Sequence, residues 1–293
     1  MKKNKEKFEA ASGLELLWNY INSKYDFLRD EVKERILFKP KNSSTGYKEF
    51  DVTMLSTLTK DAKFAGLQSA NVNNIKLLLN SNEVHGFNAL QDYFKNIKHL
   101  NPVNNIKRFC ACIKTQNDEA FFKYLKKWLV ASVANIYIKE TCTNHTCLTI
   151  TGGQGKGKSR FISYLIPQEL LDYFNEDGFH LVDIKDDTIK LADYWIIHLE
   201  ETIGVLNHKD NNLLKKLISL NSVKVRRPFA PLTSNAPRLA NIIASVNSDD
   251  FLTDHTGSRR YPSFKIFEIN EAAYRKIDIN QVWAEAYHEF KKG

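Results

Sequence analysis

The chain has 293 residues, 43% of them hydrophobic, and carries a formal net charge of +8 with a pI near 9.1. That length supports one large domain and a smaller one, and the surplus of Lys and Arg points to a polyanionic partner, most simply nucleic acid. No run approaches the ~18 apolar residues of a membrane span, and no apolar run follows the basic start MKKNKEKFEAAS, which excludes a membrane protein and leads us to expect a cytoplasmic one.

Taken in chain order, residues 1–84 read as a small mixed α/β module. Leu14, Leu16, Leu17, Tyr20 and Ile21 share one helix face. Residues 34–40 (ERILFKP) and 47–52 (YKEFDV), with Asn42-Ser43-Ser44-Thr45-Gly46 between them, predict a β-hairpin. Short helices are expected around 52–63 and 71–80. Such a strand pair with helices fits a wing-and-helix DNA module or a packing collar, and the collar is favoured. Residues 85–147 read as a helical collar, with helix expected throughout 86–138. Phe121, Phe122, Leu125, Trp128, Leu129, Val133 and Ile136 recur at three- and four-residue steps, opposite Lys123, Lys126 and Lys127. This predicts a core-facing helix with a solvated basic face. Cys110, Cys112, Cys142 and Cys147 read as free thiols, because Cys142-x-x-His145-x-Cys147 lacks the second ligand pair of a zinc site.

From residue 148 to 293 strands and helices alternate. Strands are predicted near 148–151, 179–183, 194–199, 242–246 and 264–269, and helices at 158–166, 186–192, 210–220 and 279–291. Alternation of this kind argues an α/β fold: a parallel sheet flanked by helices.

The most informative stretch is residues 147–159, CLTITGGQGKGKS. An apolar strand opens into Gly152-Gly153-Gln154-Gly155-Lys156-Gly157-Lys158-Ser159, the P-loop pattern G-x-x-x-x-G-K-[ST], and a helical pattern follows. Glycines let backbone N–H groups turn inward on the β-phosphate. Lys158 can reach the β- and γ-phosphates, and the Ser159 hydroxyl can ligate Mg²⁺. Arg160 completes the expected nucleotide-binding set. The ligand class is a nucleoside triphosphate, ATP, with magnesium.

Hydrolysis requires more. Residues 194–201 (YWIIHLEE) form an apolar strand ending in two acids, the Walker B arrangement. Glu200 is assigned to the metal and Glu201 to water activation. His198, inside that strand, reads as a hydrogen-bonded core histidine. Asn247 ends the apolar run IIASV and is the expected sensor of the γ-phosphate. Asn235 competes for that role but follows Pro228 and Pro231, which suit no central strand. The pair Arg259-Arg260 suits an arginine finger supplied to a neighbouring subunit. Residues 205–240 hold seven Lys/Arg and one acid, Asp210. Within them Lys215, Lys216, Lys224, Arg226 and Arg227 are the candidate DNA-binding residues, on a hairpin over 222–232 and its approach.

Together GGQGKGKSRF (152–161), WIIHLEE (195–201), VRRPF (225–229) and ASVNSDDFLTDHTGSRRYPSF (244–264) resemble the virulence-associated protein E family, superfamily 3 helicase-type ATPases of phages and mobile elements. The likeness covers about residues 85–290. It implies a P-loop NTPase (AAA+-like) fold and an ATP-driven helicase or translocase that replicates mobile-element DNA. It also implies a homo-oligomeric ring, a hexamer, acting on single-stranded or forked DNA. Many relatives carry a primase domain or work beside one. Here the upstream residues show no polymerising carboxylate cluster, so priming is not predicted and a separate primase is a candidate partner. The alternative reading is a nucleotide-gated origin-binding or assembly ATPase without processive unwinding. A small-substrate kinase fits less well with the twin acids, sensor Asn and basic insert.

Overall fold

The computed structural model describes residues 12–98, 104–142, 144–181, 184–200, 208–225, 234–247 and 260–293. The chain divides into two compact units, Met1–Asn88 and Ala89–Gly293.

The first unit contains α1 (Gly13–Lys24), β1 (Tyr25–Asp30), β2 (Arg35–Pro40), β3 (Lys48–Glu49), α2 (Val52–Phe64), α3 (Val72–Leu79) and β4 (Gly86–Phe87). Side-chain caps start its helices: Ser12 accepts from Glu15 N, Asp51 from Met54 N and Asn71 from Asn74 N, which satisfies N–H groups that have no partner within the helix. Leu17, Ile21, Leu55, Leu58 and Ile75 form its own buried core.

The sheet order is β3-β2-β1-β4, so the expected hairpin of β2 and β3 forms, and the unexpected strand β1 joins it. Strand β2 does pair with β3, but only over Leu37↔Glu49 and Phe38↔Lys48. Its full-length partner is β1, from Tyr25↔Pro40 to Asp30↔Arg35. Buried Asp30 explains the preference. Its Oδ1 accepts from Val32 N at 3.0 Å and Lys33 N at 3.2 Å, and its Oδ2 receives Arg35 Nε at 3.1 Å. One carboxylate therefore closes the turn and pins both strands.

The second unit begins with α4 (Ala89–Asn96), α5 (Asn105–Cys110), β5 (Ile113–Thr115) and α6 (Asp118–Tyr137). The expectation of helix throughout 86–138 is corrected by β4 and β5. The latter is antiparallel to a later strand and extends the main sheet at its edge. Helix α6 turns Phe121, Leu125, Trp128, Leu129 and Val133 inward and leaves Lys123 and Lys127 exposed. Trp128 Nε1 donates to Ile242 O at 3.0 Å, fastening the helix to the sheet.

There follow β6 (Cys147–Thr151), α7 (Lys158–Tyr164), a 3₁₀ turn (Gln168–Tyr173), β7 (Phe174–Asn175), α8 (Ile184–Asp193), β8 (Ile196–Glu200) and α9 (His208–Ile218). The unit ends with β9 (Ser222–Val225), β10 (Ser234–Pro237), β11 (Asn241–Val246), β12 (Ser263–Ile269), α10 (Glu271–Tyr274) and α11 (Ile279–Lys292). The main sheet runs β5-β12-β6-β11-β8-β7, parallel except for β5. Strands β6 and β11 are buried along their whole length, as apolar strands covered on both faces should be.

The expected strand at 179–183 is absent over its described residues. The edge position belongs to β7 instead. Gly178 turns the chain at φ +62, and buried Asp187 accepts from His180 N and Leu181 N at 3.1 and 2.8 Å, which spends those donors locally. Among the described residues no helix is long and apolar enough to cross a membrane.

Candidate functional site

Parallel strands β6, β11 and β8 lie side by side and release their chains at the same edge, where open α/β sheets hold ligands. From β6 the chain enters the glycine-rich loop. Gly152 has φ +149, and a Cβ there would sit 2.9 Å from Ile266 O of β12. Glycine is required at this point by backbone conformation and by close approach together. Gly155 (φ +78) and Gly157 (φ +80) also occupy the left-handed region, and Gly157 is the residue before α7. Gly153 and Gln154 are exposed.

Lys158, the first residue of α7, is only 6% exposed. Its Nζ donates to Gly152 O at 2.7 Å, Gly153 O at 3.0 Å and Asn247 Oδ1 at 2.8 Å. Ser159 Oγ donates to Glu200 Oε1 and lies 3.4 Å from Ser245 Oγ. His198 Nε2 is in turn 2.9 Å from Ser245 Oγ. Burial pulls the His198 imidazole down to about 4, against the opposing pull of Glu200 and Glu176, so the ring is neutral near pH 7.

A cavity of about 440 Å³ adjoins this group. Ser159, Arg160, His198 and Glu200 line it, and Ser163, Tyr164 and Arg275 also border it. Glu176, just past β7, lines it as well and accepts from Ser163 Oγ at 2.9 Å. Arg275 lies over the Tyr164 ring at 5.9 Å and bonds Glu271 Oε1 at 2.9 Å.

The family model of the virulence-associated protein E-like domain matches residues 94–293. The chain belongs to this family. An apo structure of the NrS-1 C-terminal region aligns with a TM-score of 0.57 at 14% identity, covering 95% of this chain and 69% of that one. An A-form apo structure of the same region gives 0.56 at 13%, covering 92% and 68%. At such identities the likeness is one of fold. No curated protein matches the chain.

Within this virulence-associated protein E-like domain, four residues singled out by sequence meet: Lys158, Ser159, Glu200 and Asn247. Two others in the loop set bond outside this group, although Arg160 also borders the cavity. Lys156 Nζ donates to Phe267 O at 2.7 Å, and Arg160 pairs with Glu271 at 2.9 Å. Both tie the loop and α7 to β12 and α10. Asn235 lies on β10, paired with Lys224 of β9, away from the parallel sheet. Glu201, Arg259, Arg226 and Arg227 lie outside the described residues.

Arg260 stands elsewhere. It borders a second cavity of about 450 Å³ with His145, Thr146, Ser219 and Asn221, and its Nε donates to Ser219 Oγ at 3.0 Å. His145 and Thr146 lead into β6, so Arg260 sits where that strand begins and the glycine loop where it ends. Five strand residues separate the two ends, roughly 16 Å at ~3.3 Å per residue.

The antiparallel pair β9–β10 makes the base of the expected basic hairpin. Lys224 on β9 and Lys216 on α9 are exposed, and Lys215 is partly so. Arg238 belongs to the same basic stretch but is 1% exposed. Its guanidinium donates to the carbonyls of Ile218, Leu220, Ala240 and Asn144. It is a structural cation locking the end of α9 to the base of the hairpin. Among the described residues, Cys142, His145 and Cys147 do not gather as a metal-ligand group, and His145 Nδ1 is 3.3 Å from Ile218 O.

Sequence reasoning missed Ser245, Glu176, Tyr164 and Arg275. Only Ser245 left a signal, as a lone hydroxyl in the apolar run NIIASV.

Proposed function

We propose that this chain is a magnesium-dependent ATPase with a P-loop NTPase (AAA+-like) core, working as a helicase or translocase on single-stranded or forked DNA in the replication of a phage or mobile element. The convergence of Lys158, Ser159, Glu200 and Asn247 at the carboxyl ends of three neighbouring parallel strands carries the reading.

The donor set fits magnesium: a hydroxyl and a carboxylate are hard oxygen ligands, and Mg²⁺ keeps most of its waters in such sites. Ser159 and Glu200 would hold it, and when bound it neutralises charge on the β- and γ-phosphate oxygens. Lys158 would leave the Gly152 and Gly153 carbonyls for those phosphates. Asn247, one bond from Lys158, orients the γ-phosphate and the attacking water. Glu201 takes the water proton as the new O–P bond forms and the bond to the ADP oxygen breaks.

Arg260, at the opposite edge of the sheet, is too far to serve its own loop. Arg260 or its neighbour Arg259 would complete the site of an adjacent copy, which requires a closed homo-oligomeric ring, in this reading a hexamer. Lys215, Lys216, Lys224, Arg226 and Arg227 would grip strand phosphates, in keeping with the net charge of +8. A separate primase is the expected companion.

ATP turnover with and without single-stranded DNA tests the proposal. The expected result is a several-fold stimulation that fades as salt rises. Turnover unchanged by DNA at every salt concentration, alongside binding of duplex DNA, would instead favour a nucleotide-gated assembly or origin-binding ATPase.

A further inference from the structure

In each of two buried strands an interior position between apolar residues holds a polar side chain. In β8, IIHLE, it is His198, 2% exposed; in β11, NIIASV, it is Ser245, also 2% exposed. Burying an imidazole and a hydroxyl costs free energy unless each is bonded. The parallel register sets Ser245 opposite Glu200 and His198 opposite Ile243. The two side chains meet at 2.9 Å, and the Ser245 hydroxyl lies 3.4 Å from Ser159 Oγ. Ser159 Oγ also donates to Glu200. A continuous polar chain therefore runs from the buried imidazole to the hydroxyl and carboxylate of the candidate metal site.

We propose that His198 and Ser245 are positioning residues that orient the Ser159 hydroxyl for magnesium. A serine hydroxyl rotates freely and has one proton and two lone pairs. To ligate a cation it must turn a lone pair toward the metal and send its proton elsewhere. The proposal assigns the imidazole the tautomer with its proton on Nδ1; Ser245 Oγ then directs its own proton at His198 Nε2 and offers only acceptor lone pairs to Ser159. The Ser159 proton is then confined to Glu200 or Ser245, and a lone pair is left facing the cavity. Without Ser245 the hydroxyl loses one of its two fixed neighbours. Without His198, Ser245 turns and competes as a donor for the lone pair that the cation needs. Partners that orient metal ligands in this way commonly change metal affinity by about 10- to 100-fold.

The proposal rests on the reading of Ser159 as a magnesium ligand, and its test separates the two. A fluorescent ADP derivative is titrated into the full chain in excess EDTA and again in magnesium, and the ratio of the two Kd values is the readout. Wild type is expected to bind more tightly with magnesium. Ser245→Ala and His198→Leu are expected to lose about tenfold of that ratio while keeping the EDTA affinity and the melting temperature. His198→Gln, which keeps a polar nitrogen within reach of Ser245, is expected to retain most of it. An unchanged ratio in Ser245→Ala, or an equal loss of affinity with and without magnesium, overturns the positioning role alone. A wild-type chain that binds no nucleotide, or binds it without regard to magnesium, overturns the underlying reading as well.

Discussion

Lys158 Nζ and Asn247 Oδ1 meet at 2.8 Å, joining the first residue of α7 to the residue just beyond β11. The bond crosses from the loop-bearing strand to its neighbour, so the cation and the amide report on the same point in space. Removing the amide leaves Lys158 its two loop carbonyls. Asn247→Ala is therefore expected to fold and bind nucleotide nearly as wild type does. Its ATP turnover should fall about 100-fold or more, the usual cost of deleting one group aimed at transition-state charge. Steady-state phosphate release checks this; turnover within a few-fold of wild type would remove Asn247 from the site.

The loop glycines are not equivalent. A Cβ at Gly152 would press on Ile266 O at 2.9 Å, and the residue holds φ +149. Gly153 has no such conformation, and the nearest group to a Cβ there is Lys156 Cε at 3.8 Å. Gly152→Ala is expected to cost about 2 kcal/mol of stability, and Gly153→Ala close to none. Denaturant melts of the two variants make the comparison, and equal stabilities would contradict it.

Local motifs carried most of what was legible beforehand. The loop, the acid-ended strand β8 and the amide-ended strand β11 are contiguous runs whose chemistry is written in adjacent residues. Strands β1, β5 and β7 escaped notice because two of them are very short and all depend on partners. Strand β1 exists through its pairing with β2 and the Asp30 turn, β5 through β12, and β7 through β8. The 205–240 stretch shows the limit most clearly. Lys224 and Arg238 look alike in a basic run, yet one is exposed and the other is buried among carbonyls that only the fold assembles. Arg275 and Tyr164 likewise meet only after β12 and α10 have folded back beside α7.

Arg238 supplies a stability prediction. It satisfies carbonyls at the end of α9 and at Asn144 while holding the base of the β9–β10 hairpin. Arg238→Met keeps much of the volume but leaves those acceptors without donors. At about 1 kcal/mol or more for each buried acceptor, a loss of about 3 kcal/mol is expected. Urea denaturation measures it; a loss under 1 kcal/mol would mean that water or rearrangement replaces the guanidinium.

A pH dependence follows from Glu289 on α11. Lys126 of α6 donates to it at 2.7 Å and Lys292 at 3.0 Å, and these bonds hold its carboxyl down to about 2. A depressed carboxyl stabilises the fold above its unfolded value of about 4.5, and that contribution drains away as pH falls toward the folded value. The partly exposed pair is worth no more than about 1 kcal/mol. Melting temperatures of wild type and Glu289→Gln should differ at neutral pH and converge between about pH 4.5 and pH 2. A difference that persists undiminished at the acid end would contradict the ion-pair account.

The central claim is that the edge of the sheet gathering Lys158, Ser159, Glu200 and Asn247 holds a magnesium-bound nucleoside triphosphate. Calorimetric titration of the full chain with a non-hydrolysable ATP analogue and magnesium tests it most directly. Saturable binding by wild type, abolished in Lys158→Ala with the fold intact, is the predicted result. No binding by wild type, or undiminished binding by Lys158→Ala, would contradict it.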